Sequence, residues 1–191
     1  MELFMIFISG AIINNFVFNR FLGICPFLGV SKKLETSIGM SVAVAFVLVA
    51  SSVITHLVYV YLLARFEIIF MYNIAFVLII ATFVQLIEML LKKYVIGLYR
   101  TLGVFLPLIT TNCVVLALVV LNVRGNYSIV SGTINALGVA FGFGLAMVLF
   151  SGIRERIETA DIPAPFKGFP IAMAAAGLMS MAFFGFASFG G

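Results

Sequence analysis

The chain has 191 residues, of which 64% are hydrophobic and 9% are charged, and its formal net charge is +4. Soluble domains carry roughly a quarter of charged residues, so this composition excludes a soluble globule and predicts an integral membrane protein. Too little polar sequence remains for a nucleotide-binding fold, so cofactor chemistry is expected within the membrane or on partner chains.

Six apolar segments are each long enough to cross a bilayer, which takes roughly 20 residues. They predict an all-α fold with transmembrane helices near residues 3–24, 38–64, 68–91, 101–121, 129–151 and 169–189. The longest polar stretch covers only residues 152–167, so we expect a single polytopic membrane domain over residues 1–191. The first segment has no basic start and contains three asparagines, which predicts a retained helix and not a cleaved signal.

The basic residues are distributed unevenly over the predicted loops. Only Arg65 and Arg124 lie in the even-numbered loops. The odd-numbered loops hold eight basic residues, namely Lys32, Lys33, Lys92, Lys93, Arg100, Arg154, Arg156 and Lys167. Because cytoplasmic loops carry the excess of Lys and Arg, we expect the odd loops in the cytoplasm and both termini outside. This bias explains the net charge without nucleic acid or acidic lipid as a partner.

The first and fourth predicted helices are interrupted by polar and helix-breaking residues. Asn14, Asn15 and Pro26 interrupt the first, and Pro107 with the polar run 110–112 interrupts the fourth. Irregular backbone is not tolerated against lipid, because each unpaired N–H or C=O costs several kcal/mol, so such segments are buried in protein or line a site. Each segment also carries one of the two cysteines, which suggests a site.

The two halves of the chain, about residues 1–95 and 96–191, resemble one another at a constant offset of 97 residues. This offset places Asn15 of the first break over Asn112 of the second without a gap. Three crossings per half would insert the halves in opposite orientations, which predicts an inverted 3+3 repeat whose broken helices 1 and 4 meet near the midplane. The alternative is a chance similarity between apolar helices.

Cys25 and Cys113 can be inert core residues, a disulfide or metal ligands, and free cysteine is often buried without further function. Cys25 lies near a predicted cytoplasmic loop, where reducing conditions disfavour a disulfide. Gly23 and Pro26 around Cys25 let the backbone turn and approach another group closely. An iron–sulfur cluster takes four ligands, usually cysteines, so a second chain would have to complete one here.

Three motifs resemble a known family. They are the runs RFLGICPFLG at 20–29, LGVFLPLITTNC at 102–113 and GIRERIETADIPAP at 152–165. These runs closely resemble the family of Rnf complex A subunits, and the similarity covers essentially the whole chain. The sister family is the E subunit of the Na⁺-translocating NADH:quinone reductase, but the run CPFLG at 25–29 is more similar to the Rnf side.

The resemblance implies a six-helix subunit of a ferredoxin:NAD⁺ oxidoreductase that couples electron transfer to Na⁺ or H⁺ transport across the prokaryotic cytoplasmic (inner) membrane. It implies that Cys25 and Cys113 hold a [2Fe–2S] cluster together with two cysteines of the E subunit, which is a homologue of opposite topology. The B, C, D and G subunits are further implied partners, and flavins and NAD are expected only on other subunits. No residue of this chain is expected to be catalytic by itself.

A cluster with four thiolates is negatively charged, so it needs donors or cations around it in a low-dielectric membrane. The candidates in this chain are Asn15, Arg20, Thr110, Thr111 and Asn112. Arg20 can instead extend its charged end to the cytoplasmic interface. The threonines and asparagines can instead satisfy carbonyls that the helix breaks leave free.

Other polar residues of the predicted helices give weaker signals. Gln85 and Glu88 lie close together in the third helix, and an intramembrane carboxylate is a candidate for ion handling. Lys92 follows Glu88 by four residues, which favours a surface ion pair. His56 has no neighbouring ligand residues, which favours a packed or interfacial role over metal binding. Small residues predict close helix packing at Gly138, Gly142 and the stretch 172–177.

Two other functions fit parts of the pattern. Inverted repeats with broken helices are equally typical of secondary transporters, and a scaffold protein could carry two inert thiols. Iron content separates these possibilities, because neither a transporter nor a scaffold requires iron.

Overall fold

The computed structural model describes residues 2–13, 15–31, 34–63, 72–94, 108–109, 112–160, 163 and 166–189. Within these ranges the chain forms helices and turns and no β-strand. The α-helices are α1 (Glu2–Ile8), α2 (Phe16–Arg20), α3 (Ile24–Val30), α4 (Leu34–Val58), α5 (Tyr72–Tyr94), α6 (Cys113–Arg124), α7 (Ile129–Glu158) and α8 (Phe169–Phe189). Wider π-helical turns continue α1 over Ser9–Ile13 and α4 over Tyr59–Leu63.

The predicted interruption of the first helix is confirmed, but its predicted end at residue 24 is wrong. Asn15 adopts an extended conformation, with φ −60° and ψ 116°, and its side chain caps α2. The chain then reverses through Phe21 and Gly23, which both have positive φ, and α3 begins at Ile24. The cysteine of this segment therefore lies in a separate short helix. Asn14 lies outside the described residues.

Two other predicted boundaries differ from the structure. Helix α4 begins at Leu34 rather than near 38, and α7 continues to Glu158 rather than ending near 151. Residues 152–158 are polar, but they include several good helix formers and no proline. Polarity alone therefore did not mark the end of the helix. The predicted starts of the third and fourth helices, near 68 and 101, lie outside the described residues.

Two of the described helices, over residues 34–61 and 129–158, are long and apolar enough to cross a membrane. Residues 113–124 and 169–185 form shorter apolar helices. Together with the composition, these helices agree with the predicted all-α membrane protein.

Helix α7 lies at the centre of the described structure, where it packs against α4, α1 and the π-helical turn at Ser9–Ile13. Gly138 and Gly142 allow this approach. A Cβ atom on Gly138 would lie 2.7 Å from the Phe7 carbonyl oxygen, and one on Gly142 would lie 2.6 Å from the Ala11 carbonyl oxygen. Close packing at these glycines was predicted and is confirmed. In the stretch 172–177, Ala172 is buried in the core and Ala175 and Ala176 pack against it. Only at Gly177 does no described atom lie within 4 Å of a built Cβ atom.

Candidate functional site

The two cysteine-bearing segments meet. Cys25 is the second residue of α3, and Cys113 is the first residue of α6. The backbone N–H of Gly23 donates a hydrogen bond to the Sγ atom of Cys113 over 2.9 Å. A Cβ atom on Gly23 would lie only 2.6 Å from the Val114 Cγ2 atom, so the reversal before α3 touches the first turn of α6. The structure thus brings together the two segments that the sequence analysis singled out.

Both thiols are free, and they differ in exposure. Cys25 is exposed, whereas Cys113 is partly buried. Among the residues that the structure describes, no group of three His, Cys, Asp or Glu side chains could hold a metal ion. The described chain therefore offers two soft sulfur ligands, one of them open at the surface of the subunit.

Asn112 precedes Cys113 and caps α6. Its Oδ1 atom accepts a hydrogen bond from the Val114 N–H over 3.1 Å. Its side chain is 4% exposed, yet the Nδ2 atom has no hydrogen-bond partner within the described part of the chain. A buried amide donor without a partner is costly, so the Nδ2 atom is a candidate donor to a further group.

Asn15, which the 97-residue offset aligns with Asn112, has the same capping conformation but a different use of its amide. Its Oδ1 atom accepts from the Val17 N–H over 3.0 Å, as Asn112 does from Val114. Its Nδ2 atom donates to the Gly142 carbonyl oxygen over 2.9 Å. Asn15 therefore satisfies a helix carbonyl through its amide, which is the alternative that the sequence analysis gave, and its role as a donor to a cluster stays a prediction.

The remaining predicted donors have no described contact with the thiols. Arg20 is exposed, and its guanidinium carbon lies 5.7 Å from the centroid of the Phe16 ring on the same helix. This distance fits a cation–π contact one helical turn apart. Thr110 and Thr111 lie outside the described residues, so their roles stay predictions.

A buried arginine near this site was missed by sequence analysis. Arg154 was counted among loop cations that set the topology, but it lies in α7 and is only 8% exposed. Its Nη1 atom donates to the Leu28 carbonyl oxygen over 2.6 Å and to the Ser31 hydroxyl over 2.9 Å. Arg154 follows the buried Phe150 by four residues, which is about one helical turn. This spacing places both on one face of a helix and could have revealed the burial of Arg154.

A second polar cluster joins α4, α6 and α7. Asn122 donates to the Ser52 hydroxyl over 3.0 Å, and Asn135 donates to the Asn122 Oδ1 atom over 2.8 Å. His56 borders a small cavity of about 10 Å³ beside these residues, which agrees with a packed role. This cluster satisfies buried polar groups between helices.

The carboxylate singled out in the third predicted helix lies in α5. Glu88 and Lys92 are four residues apart in this helix, but their side chains lie outside the described part of the structure. Gln85 is exposed in this subunit. The ion pair between Glu88 and Lys92 therefore stays a prediction.

Comparisons with known proteins match nearly the whole chain. The family described as Rnf-Nqr subunit, membrane protein, matches residues 3–189. The A subunit of the Na⁺-translocating ferredoxin:NAD⁺ oxidoreductase complex of Acetobacterium woodii is 53% identical over 186 residues, which cover 97% of both chains. The A subunits of ion-translocating oxidoreductase complexes are 52% identical in Vibrio vulnificus and 50% in Syntrophotalea carbinolica, each covering 97% of this chain and 96% of the relative. The chain therefore belongs to the Rnf-Nqr family of membrane subunits.

Proposed function

We propose that this chain is a membrane electron-transfer subunit of an ion-translocating ferredoxin:NAD⁺ oxidoreductase complex, in which it provides half of the ligands of an intramembrane [2Fe–2S] cluster. The observation that carries the proposal is the hydrogen bond between Gly23 and Cys113, which joins the two thiol-bearing segments. The names of the relatives in Acetobacterium woodii and Vibrio vulnificus support the redox and ion-transport parts of the proposal.

The residues present fit half of such a site. Cys25 and Cys113 provide two sulfur ligands, and four are needed. The Nδ2 atom of Asn112, next to Cys113, has no partner among the described residues and is available as a donor to a negatively charged sulfur group. The N-terminus of the 12-residue helix α6 carries partial positive charge beside Cys113, which suits a negatively charged cluster at this position.

The chain's own residues then have distinct tasks. Gly23 holds the Cys113 sulfur through its N–H, while Cys25 stays exposed on the side where a second chain would supply the missing ligands. When bound, the cluster accepts and donates single electrons within the membrane. We place the flavins and NAD on other subunits, and the missing thiolates on a homologous subunit of opposite topology.

Iron loading tests this proposal directly. The chain purified alone should hold little or no iron, because two thiols are half of a ligand set, and co-expression with its homologous partner should produce iron and visible absorbance. Metal analysis and absorption spectra of both preparations check this. Full and stable iron loading of the isolated monomeric chain would contradict the shared site, and a fully assembled, active complex without iron at this subunit would favour a transporter.

We also propose that six crossings form an inverted 3+3 repeat, with both termini outside the cytoplasm. The equal capping geometry of Asn15 and Asn112, with ψ 116° and 115°, supports an equivalence of the two breaks. Reporter fusions after Lys33, Lys93 and Arg156 should therefore report cytoplasm, and fusions at the C-terminus should report the opposite side. A cytoplasmic C-terminus would contradict either the number of crossings or their orientation.

A further inference from the structure

Arg154 is a buried cation that faces the C-terminal end of the helix carrying Cys25. Its Nη1 atom donates to the Leu28 carbonyl oxygen and to the Ser31 hydroxyl, and both acceptors are uncharged. Carbonyls in the last turn of a helix lack partners within the helix and carry partial negative charge. Arg154 therefore donates to a free carbonyl at the end of α3, and its positive charge offsets the partial negative charge there.

Helix α7 also holds the middle of α3. The rings of Phe27 and Phe150 are stacked, with centroids 4.1 Å apart and an interplanar angle of 23°. Phe150 precedes Arg154 by four residues, so both side chains project from one face of α7. Leu28 follows Cys25 by three residues, which is about 4.5 Å along a helix axis. The Phe27–Phe150 stacking and the Arg154–Leu28 hydrogen bond thus both lie within one helical turn of Cys25.

The other side of Arg154 borders a cavity of about 230 Å³ between α7 and α8, which Glu158 and Lys167 also line. A cavity of this size has room for several waters, which can hydrate the remaining guanidinium donors. Such hydration lowers the cost of keeping a charge at a buried position. The remaining guanidinium donors therefore have room for water while Nη1 is held against α3.

We propose that Arg154 is a positioning residue for Cys25. By joining the end of α3 to α7, it holds the Cys25 thiol in one orientation relative to Cys113. The role of that thiol as a metal ligand rests on the proposed function, but the positioning itself is a property of this chain. Arg156, exposed two residues further along α7, carries the same charge without this burial.

Thiol labelling of the full chain in membranes, expressed without its partner, tests the positioning. Peptide mapping after reaction with a maleimide separates Cys25 from Cys113. Arg154→Met should raise the labelling rate of Cys25 severalfold and leave that of Cys113 unchanged. Arg156→Met is the matched control for loss of charge and should label as the wild type does, while Arg154→Lys should restore most of the wild-type rate.

The assembled complex provides a second measurement. Arg154→Met should lower the iron content or alter the EPR line shape of the reduced complex, and Arg156→Met should do neither. Unchanged Cys25 labelling in an inserted Arg154→Met chain would overturn the proposal. If that variant fails to insert, Ser31→Ala decides the question, because it removes one acceptor of Arg154 and keeps the charge. A raised labelling rate of Cys25 in Ser31→Ala supports positioning, and a wild-type rate overturns the proposal. A wild-type complex without iron would contradict the proposed function, while the labelling result would still decide the role of Arg154.

Discussion

The Cys25→Ser and Cys113→Ser variants are expected to insert into the membrane but to assemble complexes without the iron of this site. Serine exchanges a soft thiolate for a harder hydroxyl that ionises poorly, so the ligand set of the proposed iron–sulfur cluster would be incomplete. The apolar helices around both positions do not depend on the sulfur atoms for burial. Iron content and the EPR spectrum of the reduced complex measure the first effect, and ferredoxin-dependent NAD⁺ reduction with ion uptake in vesicles measures its consequence.

The control for these variants is Glu88→Gln, which changes the carboxylate of α5. It should spare the iron whichever role the carboxylate has. If both cysteine variants keep wild-type iron and coupled activity, the two thiols are packing residues and the proposed electron-transfer function of this subunit is wrong.

Gly23→Ala is expected to destabilise the protein strongly while leaving both thiols in place. Gly23 has φ +80°, and a Cβ atom there would lie 2.6 Å from Val114 Cγ2 and 3.0 Å from Phe143 Cε2. The left-handed conformation costs a non-glycine residue roughly 1–2 kcal/mol, and overpacking typically adds about 1–3 kcal/mol. The variant should therefore unfold at a lower temperature in detergent and lose the contact between the reversal and Cys113.

The matched control is Gly29→Ala in the neighbouring helix α3. A Cβ atom on Gly29 would make an ordinary contact of 3.5 Å with the Leu108 side chain, so this variant should keep its stability and its iron. Equal unfolding temperatures for the two variants would show that the backbone reversal at Gly23 adapts to a side chain.

The helix breaks were predictable because their chemistry is local. Asparagine caps a helix with its own side chain, and Asn15 and Asn112 both do so at the predicted interruptions. The reversal before α3 was not predictable in the same way. It requires Phe21 in the left-handed region at φ 54°, a conformation that tertiary contacts must stabilise for a bulky residue.

The candidate site was likewise predictable from the sequence only in part. That the two thiol-bearing segments lie together followed from two breaks at equivalent positions, and the structure has that contact. The partner of the Asn15 amide could not be read from the sequence, because Gly142 lies 127 residues away. Arg154 was assigned to a loop because counting basic residues takes no account of burial.

The contact of Gly138 and Gly142 with the first helix also limits how this protein can move. A shift of α1 by one turn towards the C-terminal end of α7 would place the Ala11 carbonyl against Ala146, and the opposite shift would place that of Phe7 against Ile134. Ala146 and Ile134 each carry a Cβ atom. At Gly138 and Gly142 such an atom would lie within 2.7 Å of the facing carbonyl oxygen, so the contact has no room for it. One-turn ratchets are a common way for packed helices to switch. In this pair both neighbouring registers place a Cβ atom against a backbone oxygen, so the contact opposes a one-turn slide of α1 along α7.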